Sequence, residues 1–153
     1  IEVIWQCGKY YKPEIDVFMK EAEANGIGGG CLGQIQHSDF IQRMDLAYAA
    51  ADIVISRSGA SSISELCAAH KAAVLVPSPN VAEDHQTHNA MALVGKGAGI
   101  LVKDSEAEEK LMKTACRLME TPDKIALMER NIAALAKTDA AMSIAEEVYR
   151  IAR

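Results

Sequence analysis

The residues best suited to chemistry lie in residues 56–65, S-R-S-G-A-S-S-I-S-E. This segment leaves an apolar run and enters a helical pattern through small residues. Free backbone N–H groups and the positive end of the helix favour an anion at such a point. Gly59 and Ala60 would let a phosphate approach the backbone. The hydroxyl of Ser61 or Ser62 could add a hydrogen-bond donor.

Glu65 lies three and four residues beyond these two serines, so it emerges on their side of the helix. A carboxylate accepts two hydrogen bonds, which suits the 2′ and 3′ hydroxyls of a ribose one turn from a diphosphate. The alternative is an ordinary helix start, in which Ser61 or Ser62 caps the helix and Glu65 completes a capping box. The local pattern leaves both interpretations open. A serine-hydrolase elbow is excluded, because G-x-S-x-G would need glycine where Ile63 stands.

A second polar segment, residues 77–89 (P-S-P-N-V-A-E-D-H-Q-T-H-N), also follows an apolar strand and begins a helix, which Asp84 can cap. Gln86 and Asn89 are three residues apart, so both amides can face one ligand. Amides donate and accept hydrogen bonds, which matches the hydroxyls of a sugar. His85 and His88 share that spacing, but the sequence fixes no third ligand, so we expect no metal site.

Residues 28–33 fit the pattern G-x-G-x-x-G of dinucleotide-binding loops. That pattern must follow a strand and open a helix, whereas these glycines follow a helix and precede a strand. We therefore interpret residues 28–33 as a connection.

The elements that must position these segments alternate between strand and helix. The predicted strands lie around residues 3–5, 34–37, 52–56, 73–76 and 99–102, and the predicted helices run from Pro13 to Asn25 and over residues 44–51, 61–69, 84–95, 105–120, 122–137 and 139–152. The helix over residues 44–51 would carry Met44, Ala47, Tyr48 and Ala51 on one apolar face. Alternation with short loops predicts an α/β fold with a Rossmann-like open parallel sheet and C-terminal helices. Ligands bind outside the carboxyl ends of such strands. The functional residues are therefore expected in the loops after Gln6, His37, Ser56 and Val76.

Composition excludes several classes of protein. The chain has 153 residues, half of them apolar, which is enough for one domain with a hydrophobic core. A net charge of -5 argues against a nucleic-acid partner. The four cysteines form no C-x-x-C pair, so a reduced, cytoplasmic protein is expected. The chain opens without methionine, directly in an apolar strand, which predicts a piece of a longer protein.

Residues 52–66 (D-I-V-I-S-R-S-G-A-S-S-I-S-E-L) and 73–90 (A-V-L-V-P-S-P-N-V-A-E-D-H-Q-T-H-N-A) together resemble the donor-site signature of the MurG family. Its members are UDP-N-acetylglucosamine:N-acetylmuramoyl-(pentapeptide) pyrophosphoryl-undecaprenol N-acetylglucosaminyltransferases. The similarity extends from W-Q-C-G-K (5–9) through D-F-I-Q-R-M-D-L-A-Y-A-A-A-D (39–52) to the terminal helices. Either central segment alone would be unspecific, whereas the two together are specific.

This resemblance implies that residues 1–153 are the nucleotide-sugar-binding, C-terminal half of a GT-B glycosyltransferase. The donor-binding residues that it implies are Ile41, Ser58, Gly59, Ala60, Ser61, Ser62, Ile63, Ser64, Glu65, His85, Gln86 and Asn89. Ile41 would hold the uracil, partly through its backbone, and the helix entrance would lie beside the diphosphate. Glu65 would bind the ribose hydroxyls. Gln86, with His85 and Asn89 beside it, would contact the N-acetylglucosamine.

The implied reaction transfers N-acetylglucosamine from UDP-N-acetylglucosamine to the lipid-linked muramoyl pentapeptide, lipid I to lipid II, in peptidoglycan synthesis, with inversion. The family's N-terminal domain binds the lipid acceptor and supplies the base, and its C-terminal domain starts with a further strand. We therefore expect no catalytic residue in this chain and no activity from it alone. No cofactor and no metal are expected, since the chain lacks a D-x-D motif. The full-length protein would work in the cytoplasm or at the cytoplasmic face of the inner membrane, with only peripheral membrane contact.

The chain departs from the family where many relatives carry Gly and then Pro, at the positions of His70 and Ala72. If the preceding helix ends in a left-handed conformation, His70 must adopt it. Three alternatives stay open. They are another GT-B enzyme such as a UDP-N-acetylglucosamine 2-epimerase, a non-catalytic UDP-sugar-binding subunit of a split transferase, and a sheet protein that binds no nucleotide.

Overall fold

The structure is a computed structural model that describes residues 1–27 and 31–152. It divides into two compact units, one from Ile1 to Ala47 and one beginning at Tyr48. The glycine pattern at residues 28–33 lies partly outside the described residues, and its last part belongs to a short 3-10 helix at Cys31–Gln34. No helix in the described ranges has the length and apolarity that crossing a bilayer requires.

Strands and helices alternate along most of the chain. In order, they are β1 (Val3–Gln6), α1 (Lys12–Ala24), β2 (Ile35–Ser38), α2 (Met44–Ala50), β3 (Val54–Ser56), α3 (Ala60–Ala69), β4 (Ala73–Leu75), α4 (His85–Val94), β5 (Gly99–Leu101), α5 (Ala107–Met119), α6 (Pro122–Ala133) and α7 (Ala140–Ile151). All described strand pairs are parallel. The predicted α/β class with parallel strands and C-terminal helices is therefore confirmed.

The first unit contains a two-stranded parallel ladder, β1 with β2, in which Trp5 is the partner of His37. The two strands are joined by α1, which has proline in its first turn, as predicted. Asp16 on α1 accepts hydrogen bonds from Lys12 and from His37 Nε2, the latter at 2.8 Å. The bond from Lys12, followed by that from His37, holds the pKa of the Asp16 carboxyl below its usual value. These contacts fix α1 against β2.

The second unit contains the ladder β3–β4–β5 with β4 in the middle. Alternation along β4 sends Ala73 and Leu75 into one buried cluster and Val74 into another. The first cluster includes Leu66 of α3, and the second includes Leu118 of α5. Both faces of β4 are therefore covered by helices, which explains its continuous apolar sequence.

The start of α4 differs from the prediction that Asp84 caps this helix. Asp84 is the residue before α4, but its φ of 52° and ψ of 30° are left-handed, and its side chain makes no capping hydrogen bond. Glu83 is also left-handed, with φ 53°. Two adjacent non-glycine residues in this region are strained, each by about 1–2 kcal/mol. The first turn of α4 is instead tied to the neighbouring loops by hydrogen bonds that Gln86 Oε1 accepts, described below.

The end of α3 confirms the requirement placed on His70. Its φ of 54° and ψ of 39° are left-handed. Lys71 N–H donates to Leu66 O at 3.1 Å, and His70 N–H donates to Cys67 O at 3.2 Å. This pair of bonds is the Schellman motif, in which glycine is the usual left-handed residue.

Replacing His70 with glycine should raise the free energy of unfolding by about 1 kcal/mol. The exposed imidazole leaves no cavity, and the left-handed cost of about 1–2 kcal/mol is removed, less the extra entropy of an unfolded glycine. Denaturant unfolding measures the change. Ala68→Gly, at an exposed position inside the same helix, is the control and should destabilise by about 0.5–1 kcal/mol. Equal destabilisation by both substitutions would contradict the assignment of strain to His70.

Candidate functional site

The loop from β3 to α3 presents backbone N–H groups at the edge where β3 ends. Gly59 directly precedes α3, which begins at Ala60. The first hydrogen bond of the helix runs from Ile63 N–H to Gly59 O at 3.0 Å. The N–H groups of residues 60–62 therefore precede the helical ladder. Together with the helix dipole, they suit an anion such as a phosphate.

The capping-box alternative is not formed. Ser61 and Ser62 are the second and third residues of α3, inside the helix, and α3 has no side-chain cap within the described residues. The Glu65 carboxylate accepts a hydrogen bond from the phenol of Tyr48. Its position is therefore explained by that contact and not by a role in starting the helix.

Gly59 stands beside these N–H groups at a position where the fold does not need glycine. Its φ of −61° and ψ of 153° are accessible to any residue. The nearest described atom that a Cβ would meet is Ser62 Oγ, at 4.0 Å. A glycine that neither the backbone conformation nor the packing requires is expected where a ligand approaches the backbone.

Gln86, in the first turn of α4, joins the loops that follow β3 and β4. Its Oε1 accepts hydrogen bonds from Ser58 N–H at 3.2 Å and from Ser78 N–H at 2.9 Å. Ser56 and Leu75 are partners in the parallel register, so both loops leave the same edge of the sheet. These bonds bring the two predicted polar segments together. With Oε1 engaged, Gln86 has its Nε2 to offer a ligand as a donor.

Ser58 is fully buried, and its polar groups bond to α4. Its hydroxyl donates to the Gln86 backbone carbonyl at 2.8 Å, and its carbonyl accepts from Asn89 Nδ2 at 3.0 Å. The amide nitrogen of Asn89 is thereby engaged, which leaves its oxygen as an acceptor. Gln86 and Asn89 could thus offer one donor and one acceptor to neighbouring sugar hydroxyls.

The phenol of Tyr48 donates to Glu65 Oε2 at 3.0 Å. The ring of Tyr48 packs against the buried cluster that contains Leu66 and Leu75. Burial, and then the hydrogen bond to the Glu65 carboxylate, raises the pKa of Tyr48 to about 12. The phenol therefore stays protonated and keeps donating throughout the neutral range.

Titration of the tyrosines should show one ionisation near pH 12 that disappears in Tyr48→Phe. A folded pKa raised from 10.0 to about 12 means that the contribution of this phenol to stability is complete below pH 10 and is lost as the pH rises through about 12. The near-ultraviolet absorbance of phenolate, compared between wild type and variant, measures it. A difference centred near pH 10 would contradict the buried, carboxylate-bonded phenol.

Arg57 ties together the loops at this edge of the sheet. Its Nη1 donates to the carbonyls of Val76 and Pro77, at 3.3 Å each. The same nitrogen pairs with the carboxylate of Asp104, which follows β5. Three successive loops are therefore held by one guanidinium group.

Ile41 belongs to the first unit and is described there by itself. The resemblance implies that Ile41 holds the uracil partly through its backbone, and in the structure the Ile41 N–H donates to Gln6 Oε1 at 2.8 Å. A base reading this backbone would therefore use the Ile41 carbonyl or displace the Gln6 amide. Phe40, beside it, is 62% exposed.

His85 is exposed, and its Nε2 lies 3.4 Å from Glu83 Oε2. No group of three or more histidine, cysteine, aspartate or glutamate side chains in the described ranges is arranged to hold a metal ion. Ser64 donates to the Ala60 carbonyl at 3.0 Å, and Ile63 packs against the core. The side chains of Ser64 and Ile63 are therefore engaged within their own unit. The predicted contacts of these two residues with a nucleotide sugar would come from their backbone.

The structure connects Ser58, Gln86 and Asn89 by direct hydrogen bonds and places residues 59–65 beside them along the chain. Sequence reasoning missed Tyr48 and Arg57. Tyr48 was assigned only to the apolar face of α2, yet a buried phenol needs a hydrogen-bond partner, and that need was the available signal.

The glycosyltransferase family 28 C-terminal domain is the family whose model matches this chain, over residues 1–147. The match covers both polar segments and the strands that precede them.

Two curated relatives carry the name UDP-N-acetylglucosamine--N-acetylmuramyl-(pentapeptide) pyrophosphoryl-undecaprenol N-acetylglucosamine transferase. The one from Bacteroides thetaiotaomicron is 53% identical over 152 residues, 99% of this chain and 39% of the relative. The one from Porphyromonas gingivalis strain W83 is 48% identical over 99% of this chain and 38% of the relative. The crystal structure of MurG from Acinetobacter baumannii superposes with a TM-score of 0.81 and 25% identity, covering 98% of this chain and 41% of that one. The chain thus spans about two fifths of the length of these proteins.

Proposed function

This chain belongs to the glycosyltransferase family 28 C-terminal domain, and from that membership we propose that it binds UDP-N-acetylglucosamine as the donor half of an inverting transferase. The acceptor is the lipid-linked muramoyl pentapeptide of peptidoglycan synthesis, as the names of the relatives indicate for those proteins. The acceptor-binding domain and the catalytic base lie outside these 153 residues. The complete protein acts at the cytoplasmic face of the inner membrane, where a lipid-linked acceptor is within reach.

The observation that carries this proposal is the pair of hydrogen bonds that Gln86 Oε1 accepts from the backbone N–H groups of Ser58 and Ser78. These bonds hold the N-terminus of α3, which suits an anion, and the first turn of α4, which carries Gln86 and Asn89, at one edge of the sheet. Glu65 follows one turn further along α3. Phosphate-binding N–H groups, a diol-binding carboxylate and sugar-binding amides are the parts that a nucleoside diphosphate sugar requires.

In the proposed transfer, an acceptor hydroxyl attacks the anomeric carbon while the bond from that carbon to the diphosphate oxygen breaks. The acceptor proton passes to a base in the other domain, and UDP departs with the bonding electrons. Negative charge grows on the diphosphate as the bond breaks. The N–H groups of residues 60–62 are fixed before the reaction, so they stabilise this charge without reorganising.

Calorimetric titration with UDP, UDP-N-acetylglucosamine, UMP and ADP tests the proposal. UDP and UDP-N-acetylglucosamine should bind. UMP should bind more weakly because it lacks the second phosphate, and ADP should bind more weakly because its base differs. Equal affinity for UDP and UMP would remove the diphosphate from the start of α3. No binding of any uridine nucleotide would end the proposal.

Gly59→Ala should weaken UDP binding roughly tenfold while leaving the free energy of unfolding within about 0.5 kcal/mol of wild type. The added methyl group meets no described protein atom closer than 4.0 Å, but it would enter the space in front of the N–H groups. Gly33→Ala is the matched control, since a Cβ there meets no atom of the described residues within 4 Å. The same change in affinity from both substitutions would show that Gly59 has no special place beside the ligand.

A further inference from the structure

Glu65 is an exposed carboxylate on a flexible stem, and such a side chain samples several rotamers. To accept hydrogen bonds from two neighbouring hydroxyls, the carboxylate must keep one position and one orientation. Binding a ribose would therefore include the entropic cost of immobilising Glu65, unless another residue already holds it.

Tyr48 can hold it because Tyr48 is itself held. Its ring packs against the buried cluster that includes Leu66, the residue after Glu65 on the inward side of α3. The phenol oxygen is then delivered to Glu65 Oε2 at 3.0 Å. Within the described part of the chain, the side-chain hydrogen bond to the Glu65 carboxylate comes from this phenol.

We propose that Tyr48 is a positioning residue that pre-orients the Glu65 carboxylate for the vicinal hydroxyls of a ribose. This inference rests on the proposed function, since it concerns the residue that holds the proposed ribose-binding carboxylate of Glu65 in place. Tyr48 does not touch the ligand. It acts through Glu65 by restricting the rotamers that the carboxylate can adopt.

The carboxylate has enough hydrogen-bond acceptor sites for this arrangement. A carboxylate offers about four acceptor sites on its two oxygens. Tyr48 takes one site on Oε2 and leaves Oε1 and a second site on Oε2 for the two hydroxyls. The proposal therefore requires no movement of Tyr48 when the ligand arrives.

The test measures the affinity of four proteins by calorimetry: wild type, Tyr48→Phe, Glu65→Ala and the double variant. Each is titrated with UDP and with 2′,3′-dideoxy-UDP, which lacks the hydroxyls. Tyr48→Phe should weaken UDP roughly two- to tenfold and leave the dideoxy nucleotide unchanged. In the Glu65→Ala background, Tyr48→Phe should have no further effect. Tyr149→Phe, which removes a phenol from α7, is the control and should bind both ligands as wild type does.

The outcomes separate this inference from the function on which it rests. If wild type does not bind UDP, both fail. If UDP binds and Glu65→Ala weakens it while Tyr48→Phe does not, only the inference is overturned. Equal weakening of both nucleotides by Tyr48→Phe, or additive losses in the double variant, would also overturn it, since a general structural role would produce those results.

Discussion

Replacing Gln86 with leucine should lower the free energy of unfolding by about 2–4 kcal/mol. The substitution removes the acceptor of two partly buried N–H groups, those of Ser58 and Ser78. Each N–H group left without a partner costs about 1–3 kcal/mol, and water reaching a partly buried group recovers some of that cost. Denaturant unfolding at neutral pH measures the change.

The matched control is Gln86→Glu, which keeps a side-chain oxygen at the same place. A carboxylate accepts the same two hydrogen bonds, so this variant should unfold within about 1 kcal/mol of wild type. A second control, His88→Leu, changes an exposed residue of α4 and should have less effect still. If the leucine and glutamate variants of Gln86 were equally stable, the bridge between the two loops would have no energetic weight.

Replacing Glu65 with alanine should weaken the binding of UDP roughly 10- to 100-fold. Under the proposed function, the substitution removes the acceptor of two hydrogen bonds from ribose hydroxyls. A hydrogen bond to a charged group is worth about 1.5–3 kcal/mol, and solvent at this exposed carboxylate reduces the two together to about the value of one. Because the side chain is exposed, the free energy of unfolding should change little. Calorimetric titration measures the affinity.

Glu65→Gln separates charge from shape at this position. The amide keeps one acceptor oxygen and offers a donor in place of the other, so it should recover only part of the affinity. Ser64→Ala, on the neighbouring residue of α3, is a control for the stability of the helix. Its hydroxyl bonds to the Ala60 carbonyl within the helix, so its loss should leave UDP affinity unchanged. Binding by Glu65→Ala equal to that of wild type would remove this carboxylate from the site.

The strands and helices that carry the candidate site could be predicted from the sequence because their signals are local. The near-continuous apolar runs of β3 and β4 require cover on both faces, and β4 has it. The helix α3 follows from the spacing of its apolar residues, and glycine directly precedes it. Both strands are shorter than predicted, since β3 begins at Val54 and not at residue 52, and β4 ends at Leu75 and not at residue 76.

The contacts that hold the site together could not be predicted, because they join residues far apart in the chain. Nothing near Gln86 in the sequence indicates that its oxygen accepts hydrogen bonds from residues 58 and 78. A short polar segment equally suits a side chain that faces the solvent. The prediction that Asp84 caps α4 was wrong: residue type favours a cap, but Asp84 has a left-handed backbone and its side chain makes no capping hydrogen bond.

The contact between Tyr48 and Glu65 shows the same limit. Helical spacing correctly placed Tyr48 with apolar neighbours on α2, and its ring does pack on the core. The spacing of apolar residues predicts that the ring is buried, but it does not predict the hydrogen-bond partner of the phenol oxygen. Which carboxylate meets that oxygen depends on the packing of α3, since the two residues are 17 positions apart.

The left-handed pair at the start of α4 has a consequence for protein engineering. Glu83 and Asp84 adopt a conformation that they do not favour alone, and Gln86, two residues after Asp84, accepts hydrogen bonds from Ser58 and Ser78. A designer who grafted residues 77–89 alone onto another scaffold should therefore find that the segment relaxes to a different conformation. The transplant would keep its geometry only if the serine-bearing turn after β3 travelled with it as a single cassette.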